Sequence, residues 1–436
     1  MSVAFTILLV VACGWAVARP AFATVLLIYI FSIEQVLQSV VPALRATPVG
    51  NQLFNYVIAG VVGIAWARSL AKNAPASVGL FNPTMLVVST LLLWSIVTVF
   101  WSPGRELGLA VLSVRWPYYF VVVVLGSSLL ASIDDVGEML QGLVVTGAVL
   151  CSVILLSPDF ESQYGRIGIV ESGKMASNPL AIGELGGVVV ITSALLRSAR
   201  FGKFGLALRV FALMVGIAVA VKSGSRGQLL FSAGVATIAF PFSARVRNFG
   251  GFVAAVGGAI VIALAVILLS STLLEGFAAQ RFSLDSLLYG SSSTSERASN
   301  VVVLATAWAS SPTAPLVGLG YYAFSSFGLG IEYSHVIAAD MLFELGIPGA
   351  VLYVALIVLS FQTCRALVRD AAADDVDRSR VGAFVALIAF YFLLSNKQGD
   401  LWGIVTFFML VCAAHRVRIR RDLLGPERAA IGWEVQ

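Results

Sequence analysis

The chain has 436 residues, 59% of them hydrophobic and only 12% charged, with a formal net charge of +5. That leaves far too little polar surface to coat a soluble globule of this size. The small cationic excess suits anionic lipid headgroups and gives no reason to expect a nucleic-acid partner.

Taken in chain order, helix-length apolar runs recur near residues 3–18, 21–43, 52–70, 84–101, 108–131, 136–157, 179–196, 204–221, 227–243, 249–272, 336–364, 382–396 and 401–415. A bilayer core needs roughly 20 apolar residues per helix, so these read as about 12 to 13 transmembrane helices. None shows the alternation of a lipid-facing barrel strand. The expected fold is therefore all-α, a polytopic membrane helix bundle with one large outside loop that contains short helices. Three regions are expected: N-terminal transmembrane helices over 1–157, a central region over 158–365 that includes the loop 273–335, and a C-terminal region over 366–436 ending in a basic tail.

The first run carries Ala16-Val17-Ala18, which has the look of a cleavage site, but Arg19-Pro20 follows directly and the run is read as a retained helix. Cys13, Cys151, Cys364 and Cys412 fall inside or at the ends of apolar runs, where they pack as small hydrophobes. With two histidines and no paired-cysteine spacing, the chain is expected to bind no metal and no cofactor.

Orientation follows from the loop cations, which concentrate on the cytoplasmic side. Basic stretches at Arg68 with Lys72, Arg197 to Arg209, Arg245 to Arg247, Arg365 to Arg380 and Arg416 to Arg421 put the C-terminus in the cytoplasm. The N-terminus is outside if every run spans, and inside if the first two form a shallow hairpin. The outer face then carries Arg45, Arg105, Arg166, Lys174, Lys222, Arg226, Arg281, Arg297 and Lys397. The orientation bias does not favour that set, so something else must.

Arg166 and Lys174 lie in a loop that returns to the membrane through Asn178-Pro179. Glu184 follows inside the next run, where an ionisable group is costly and points either to function or to an internal ion pair with an arginine. Lys222-Ser223-Gly224-Ser225-Arg226-Gly227-Gln228 joins two runs at the outer surface, with Ser225 or Ser223 placed to cap the next helix. Free amides at a helix start, together with a guanidinium fork, make a phosphate cradle. The alternative is that Arg226 only reaches to the headgroups.

The longest polar interruption runs from about Ser271 to His335 and holds Arg281 and Arg297. Residues 291–295 are expected to be a flexible link, followed by a short helix from Ala298 to Ser310. Gly318-Leu319-Gly320-Tyr321-Tyr322 offers tight turns and aromatics that either stack on sugar rings or sit in the interface. His335 opens the next run, and Asp340 and Glu344 are spaced to share one helix face around it. A histidine at such a border serves as either an interfacial residue or a base.

The ordered set resembles the bacterial O-antigen ligase and polysaccharide polymerase family of integral-membrane glycosyltransferases. The arginine loop before Asn178-Pro179, Ser225-Arg226-Gly227, Arg297 with Trp308 ahead of Gly318-Leu319-Gly320 and Phe324, then His335 and Glu344-Leu345-Gly346-Ile347-Pro348-Gly349 carry the resemblance, over about 160–360. It implies a metal-independent, inverting transferase at the periplasmic face of the inner membrane. The donor would be an undecaprenyl-diphosphate-linked glycan and the acceptor a glycan or a lipid-linked sugar. Polysaccharide export and chain-length proteins are implied as partners. By the same resemblance His335 is the base, Arg226, Arg297, Arg166 and Arg281 hold the diphosphate, and Glu184, Asp340 and Glu344 support them. One departure stands: Val336 follows the histidine where the family often has Asn.

A polymerase is slightly favoured over an O-antigen ligase that transfers to a lipid A core or a protein. A different class also fits some residues, namely a lipid-glycan transporter or flippase coupled through Glu34, Glu184, Asp340 and Glu344. A scaffold subunit of an export machine is a third reading.

Overall fold

The computed structural model describes residues 2–41, 44, 48–72, 79–163, 165–171, 174–175, 177–197, 202–244, 250, 253, 257, 292–328, 333–371, 374–398, 400–401 and 403–430. In chain order the helices are α1 (Ser2–Ala18), α2 (Pro20–Ile28), α3 (Ile30–Val40), α4 (Pro48–Lys72), α5 (Pro83–Thr98), α6 (Arg105–Tyr118), α7 (Ile133–Leu156) and α8 (Pro179–Leu195). They continue with α9 (Gly202–Lys222), α10 (Arg226–Ser243), α11 (Ser292–Ser310), α12 (Ala314–Val317), α13 (Ile337–Phe343), α14 (Gly346–Asp370), α15 (Asp375–Gln398) and α16 (Val405–Ala430). The protein is an all-α polytopic membrane helix bundle.

A helix occupies every expected apolar run except 249–272, of which only residues 250, 253 and 257 are described. Among the described residues 7 helices are long and apolar enough to cross a membrane, or up to 8 if the bent pair α2 and α3 is one span. That pair turns by 70° at Tyr29, whose hydroxyl donates to the Leu143 carbonyl at 2.9 Å and so holds the break in place. Local chemistry sets the helix starts. Asn82 accepts the Met85 N–H at 2.9 Å ahead of Pro83, and Ser132 accepts the Asp135 N–H at 3.2 Å ahead of a first turn bearing Asp134 and Asp135. Pro117 lacks a donor near the end of α6, and the next eight residues, Tyr119–Gly126, relax into a π-helix.

Three expectations are corrected. The run expected to span from 336 is broken: α13 ends at Phe343, and the spanning helix α14 starts only at Gly346, whose φ of 68° reverses the chain. The serine-rich stretch expected to be a flexible link is helical from Ser292. Residues 160–175, expected to be loop, form a small antiparallel sheet in the order β1 (Phe160–Gln163), β2 (Arg166–Glu171), β3 (Lys174–Met175).

The chain divides into two compact units, each discontinuous in sequence. Unit 1 comprises Met1–Ala76, Leu129–Leu288 and Val368–Phe390. Here α8 is the central helix, lying against α7, α9 and α10. Small residues permit the approach: Gly186 meets the backbone of Gly216 and Ala220 on α9, and Gly187 meets Phe390 and Ser232. Unit 2 comprises Ser77–Ser128, Tyr289–Leu367 and Tyr391–Gln436, with α16 packed on α5 and on the π-helical turn. His415, which the sequence associates with the terminal basic cluster, is buried here with Nδ1 2.8 Å from the Thr84 hydroxyl.

Candidate functional site

Unit 1 assembles a cationic corner from two turns. Gly165 and Gly224 both have positive φ, 70° and 64°, and a Cβ on Gly224 would collide with the Gly165 carbonyl, so the start of β2 presses directly on the turn before α10. That contact brings Arg166 of β2 beside Arg226, the first residue of α10. Burial lowers the Arg166 pKa, and the Arg226 charge lowers it further. The Arg166 Nε is buried without a hydrogen-bond partner within the protein.

Ser225 holds the N-cap position of α10 but its side chain makes no cap bond. Ser223 does the local work instead: its Oγ accepts the Ser225 N–H at 3.2 Å and donates to the Ala220 carbonyl at 2.7 Å. The Ser225 hydroxyl, on a residue only 3% exposed, is left without a partner within the protein. Two guanidiniums, the positive end of the α10 dipole and a buried hydroxyl without a partner within the protein are together suited to an anion with several oxygens. Gly183 on α8 fits against Ser223 and Ser225, which brings the helix turn of half-buried Glu184 next to this corner. Lys174 lies on β3, and its side chain is outside the described residues.

Unit 2 gathers carboxyl groups. The turn-rich stretch 318–324, which runs into the 3-10 helix Ala323–Phe327, is pinned against the α13–α14 break, with Leu319 N–H donating to Phe343 O at 2.9 Å and Gly320 N–H to Glu344 O at 2.8 Å. Gly318 (φ 82°) and Gly346 (φ 68°) allow this, because a Cβ on either would strike the other's backbone. Glu344 therefore sits just past α13, where its carboxylate accepts the N–H groups of Phe324 at 2.9 Å and Tyr322 at 3.1 Å. A small cavity of about 10 Å³ is lined here by Tyr321, Tyr322, Tyr333, Asp340, Met341, Glu344, Leu345, Asp400 and Leu401.

Asp400 is held by Arg115, whose Nη1 lies 2.6 Å from each carboxylate oxygen. Asp340 receives the Ser334 hydroxyl at 2.5 Å. Burial is the main cause of a pKa well above the usual carboxylate range at Asp340, and it raises Glu344 to about 7 against the opposing pull of backbone N–H donors. Among the described residues no group of three or more His, Cys, Asp or Glu is arranged to hold a metal ion.

His335 lies beside this cavity. It is half-buried, and its ring meets the cavity-lining Tyr333 edge-on at 4.4 Å between centroids. Its φ is 64°; among the described residues only Tyr322, at 66°, shares a positive φ without being glycine. Strain of this kind clusters at functional sites, and both instances fall at this cavity. Arg297 is half-buried on α11, three residues before buried Asn300, whose Nδ2 has no partner within the protein. The helix packs on α13, and Trp308 meets Phe343 at 5.5 Å.

The expected set is thus distributed in two groups. Arg166, Arg226 and Glu184 belong to unit 1; Arg297, His335, Asp340 and Glu344 belong to unit 2; Arg281 lies outside the described residues. Tyr321 and Tyr322 are not interfacial anchors but 2% exposed. Sequence reasoning missed Ser334, Tyr333, Arg115 and Asp400. A signal existed for one of them, since Arg115 interrupts an apolar run, where a charge by default marks function.

Compared with models of known protein families and with curated proteins, the chain has no match.

Proposed function

We propose that this membrane protein is a glycosyltransferase that moves a glycan from undecaprenyl diphosphate to an acceptor sugar hydroxyl at the periplasmic face of the inner membrane. The observation that carries this reading is the corner of unit 1, where Arg166 lies beside Arg226 at the start of α10, and the buried Arg166 Nε and Ser225 hydroxyl have no partner within the protein. A lipid-linked diphosphate supplies the matching charge and oxygen atoms.

In this reading His335 takes the proton of the acceptor hydroxyl, and an imidazole with a reference pKa of about 6.5 is suited to that near neutral pH. The acceptor oxygen attacks the anomeric carbon opposite the departing diphosphate, so the configuration inverts and no carboxylate nucleophile is needed. Negative charge grows on the leaving group, and the guanidiniums proposed to bind the diphosphate, Arg166, Arg226 and Arg297, stabilise it more in the transition state than in the ground state. The acidic groups Asp340, Glu344 and Glu184 support that machinery. The C-terminus is cytoplasmic, and the product is a surface or secreted polysaccharide made by polymerisation, with export and chain-length proteins as partners.

The test is disruption of the gene followed by analysis of surface glycans and lipid carriers. Loss of a polymerase leaves single repeat units on the final acceptor, and loss of a ligase strands long glycans on the carrier. In proteoliposomes the purified protein forms new glycosidic bonds, and Arg226→Ala, Arg166→Ala and His335→Ala each abolish most of that activity. Unchanged glycan lengths on the proper acceptor, or substrate crossing the bilayer with no new bond, overturn the reading.

A further inference from the structure

One hydroxyl controls the backbone on both sides of His335. Ser334 is fully buried; its Oγ accepts the Val336 N–H at 3.0 Å and donates to Asp340 Oδ1 at 2.5 Å. Between these two anchored residues His335 holds its left-handed φ of 64°, a conformation uncommon for a non-glycine residue that persists only where the surroundings over-determine it. The surroundings are specific. Asp340 is 5% exposed in the first turn of α13, whose start depends on Ala339 and Asp340 N–H groups donating to the Val336 carbonyl at 2.9 and 3.1 Å.

We propose that Asp340 is the positioning residue of His335, acting through Ser334: its carboxyl fixes the serine hydroxyl, the hydroxyl fixes Val336, and the imidazole is presented from a backbone that cannot relax. The proposal rests on the reading of His335 as the acceptor's base. The groups facing Asp340 are Glu344 from the turn after α13, Asp400 with its partner Arg115, and the tyrosines 321, 322 and 333. Burial and the negative charge of Glu344 both favour the protonated acid, which still offers Ser334 an acceptor oxygen. Asparagine has the shape and the acceptor of that neutral acid, so hydrogen bonding and not charge is what the position requires.

The full-length protein in lipid nanodiscs tests this with two readouts. The first is independent of activity. Diethyl pyrocarbonate acylates accessible neutral imidazoles, and the chain has only two histidines, of which His415 is buried. The modification rate at His335, followed by peptide mass spectrometry, is expected to rise severalfold in Asp340→Ala and Ser334→Ala and to stay at the wild-type rate in Asp340→Asn. The second is glycan transfer from the lipid-diphosphate donor. Asp340→Ala and Ser334→Ala lower kcat by about 10- to 100-fold with the donor KM retained, as expected when a catalytic group is displaced by about an ångström. Asp340→Asn recovers most of that loss.

An unchanged His335 modification rate in both alanine variants overturns the proposal, as does an Asp340→Asn variant that behaves like Asp340→Ala. If Asp340→Ala fails to accumulate as folded protein, Ser334→Ala carries the same test. Altered modification rates together with transfer that survives His335→Ala support the positioning and overturn the base reading instead.

Discussion

Replacing Ser225 with alanine separates an anion site from an ordinary helix cap. A serine cap that bonds to its helix is worth about 1 kcal/mol when removed. Here no such bond exists to lose, because the Ser225 side chain makes no cap contact and its N–H is taken by Ser223. What is removed is a hydroxyl on a residue 3% exposed with no partner within the protein, a group whose desolvation costs about 1–3 kcal/mol. The ligand-free variant should therefore be as stable as wild type or more stable by about 1 kcal/mol.

Binding should move the other way. A hydrogen bond from this hydroxyl to a phosphate oxygen is charge-assisted and worth about 1.5–3 kcal/mol, so undecaprenyl diphosphate should bind at least about tenfold more weakly. At a lipid concentration of about 100 times the wild-type Kd, linkage stabilises wild type by about 2.7 kcal/mol and a tenfold weaker variant by only about 1.4 kcal/mol. The assay is thermal unfolding in nanodiscs with and without added undecaprenyl diphosphate. Ser223→Ala serves as the contrast, since it breaks two bonds and should destabilise the ligand-free protein. A ligand-free Ser225→Ala less stable by about 1 kcal/mol, or a lipid-induced shift equal to wild type, refutes the anion-site reasoning.

Two further outcomes follow from unit 2. The folded-state pKa of Glu344 is raised from 4.5 to about 7, so the folded protein binds more protons than the unfolded chain between those values and stability falls as pH rises through that window. The loss is on the order of 3 kcal/mol at most, present in full below pH 4.5 and gone above pH 7, and Glu344→Gln should flatten that part of the stability-pH curve measured by thermal unfolding. Asp400→Ala strands Arg115, whose side chain is 34% exposed, and should cost about 3 kcal/mol, the low end for a broken buried pair. The double variant Arg115→Ala with Asp400→Ala should be more stable than Asp400→Ala alone; a double-variant loss equal to the sum of the two single-variant losses would show that the pair carries no coupling.

Helix positions were legible because membrane helices are written in long apolar runs, and apart from α11 and α12 in the polar interruption the described helices fall where those runs lie. The break before α14 was not legible. Asp340 and Glu344 at a four-residue spacing read as one helical face, and Glu344, the C-cap of α13, does donate its N–H to the Asp340 carbonyl at 2.9 Å; what the spacing could not show is that the helix ends there and that the Glu344 carboxylate is clasped by the backbone of Tyr322 and Phe324. Nothing local to Glu344 encodes that clasp, since its partners lie 20 and 22 residues away. The sheet over 160–175 was not legible for a different reason: its strands are too short for an alternating pattern to stand out.

Sequence alone determined that this is a multi-pass helical membrane protein, because hydropathy is a property of composition and the bilayer accepts few backbone solutions. It also nominated Arg166, Arg226, His335 and Glu344, since charged and titratable groups are rare enough in such a chain to stand out singly. Only the tertiary structure decided which of them share a unit, that Ser225 has a hydroxyl to spare while Ser223 does not, and that Arg115 and Asp400 belong beside the acidic cavity. Those outcomes depend on which distant backbone groups reach which side chains, and such pairings are fixed by packing between elements far apart in the chain.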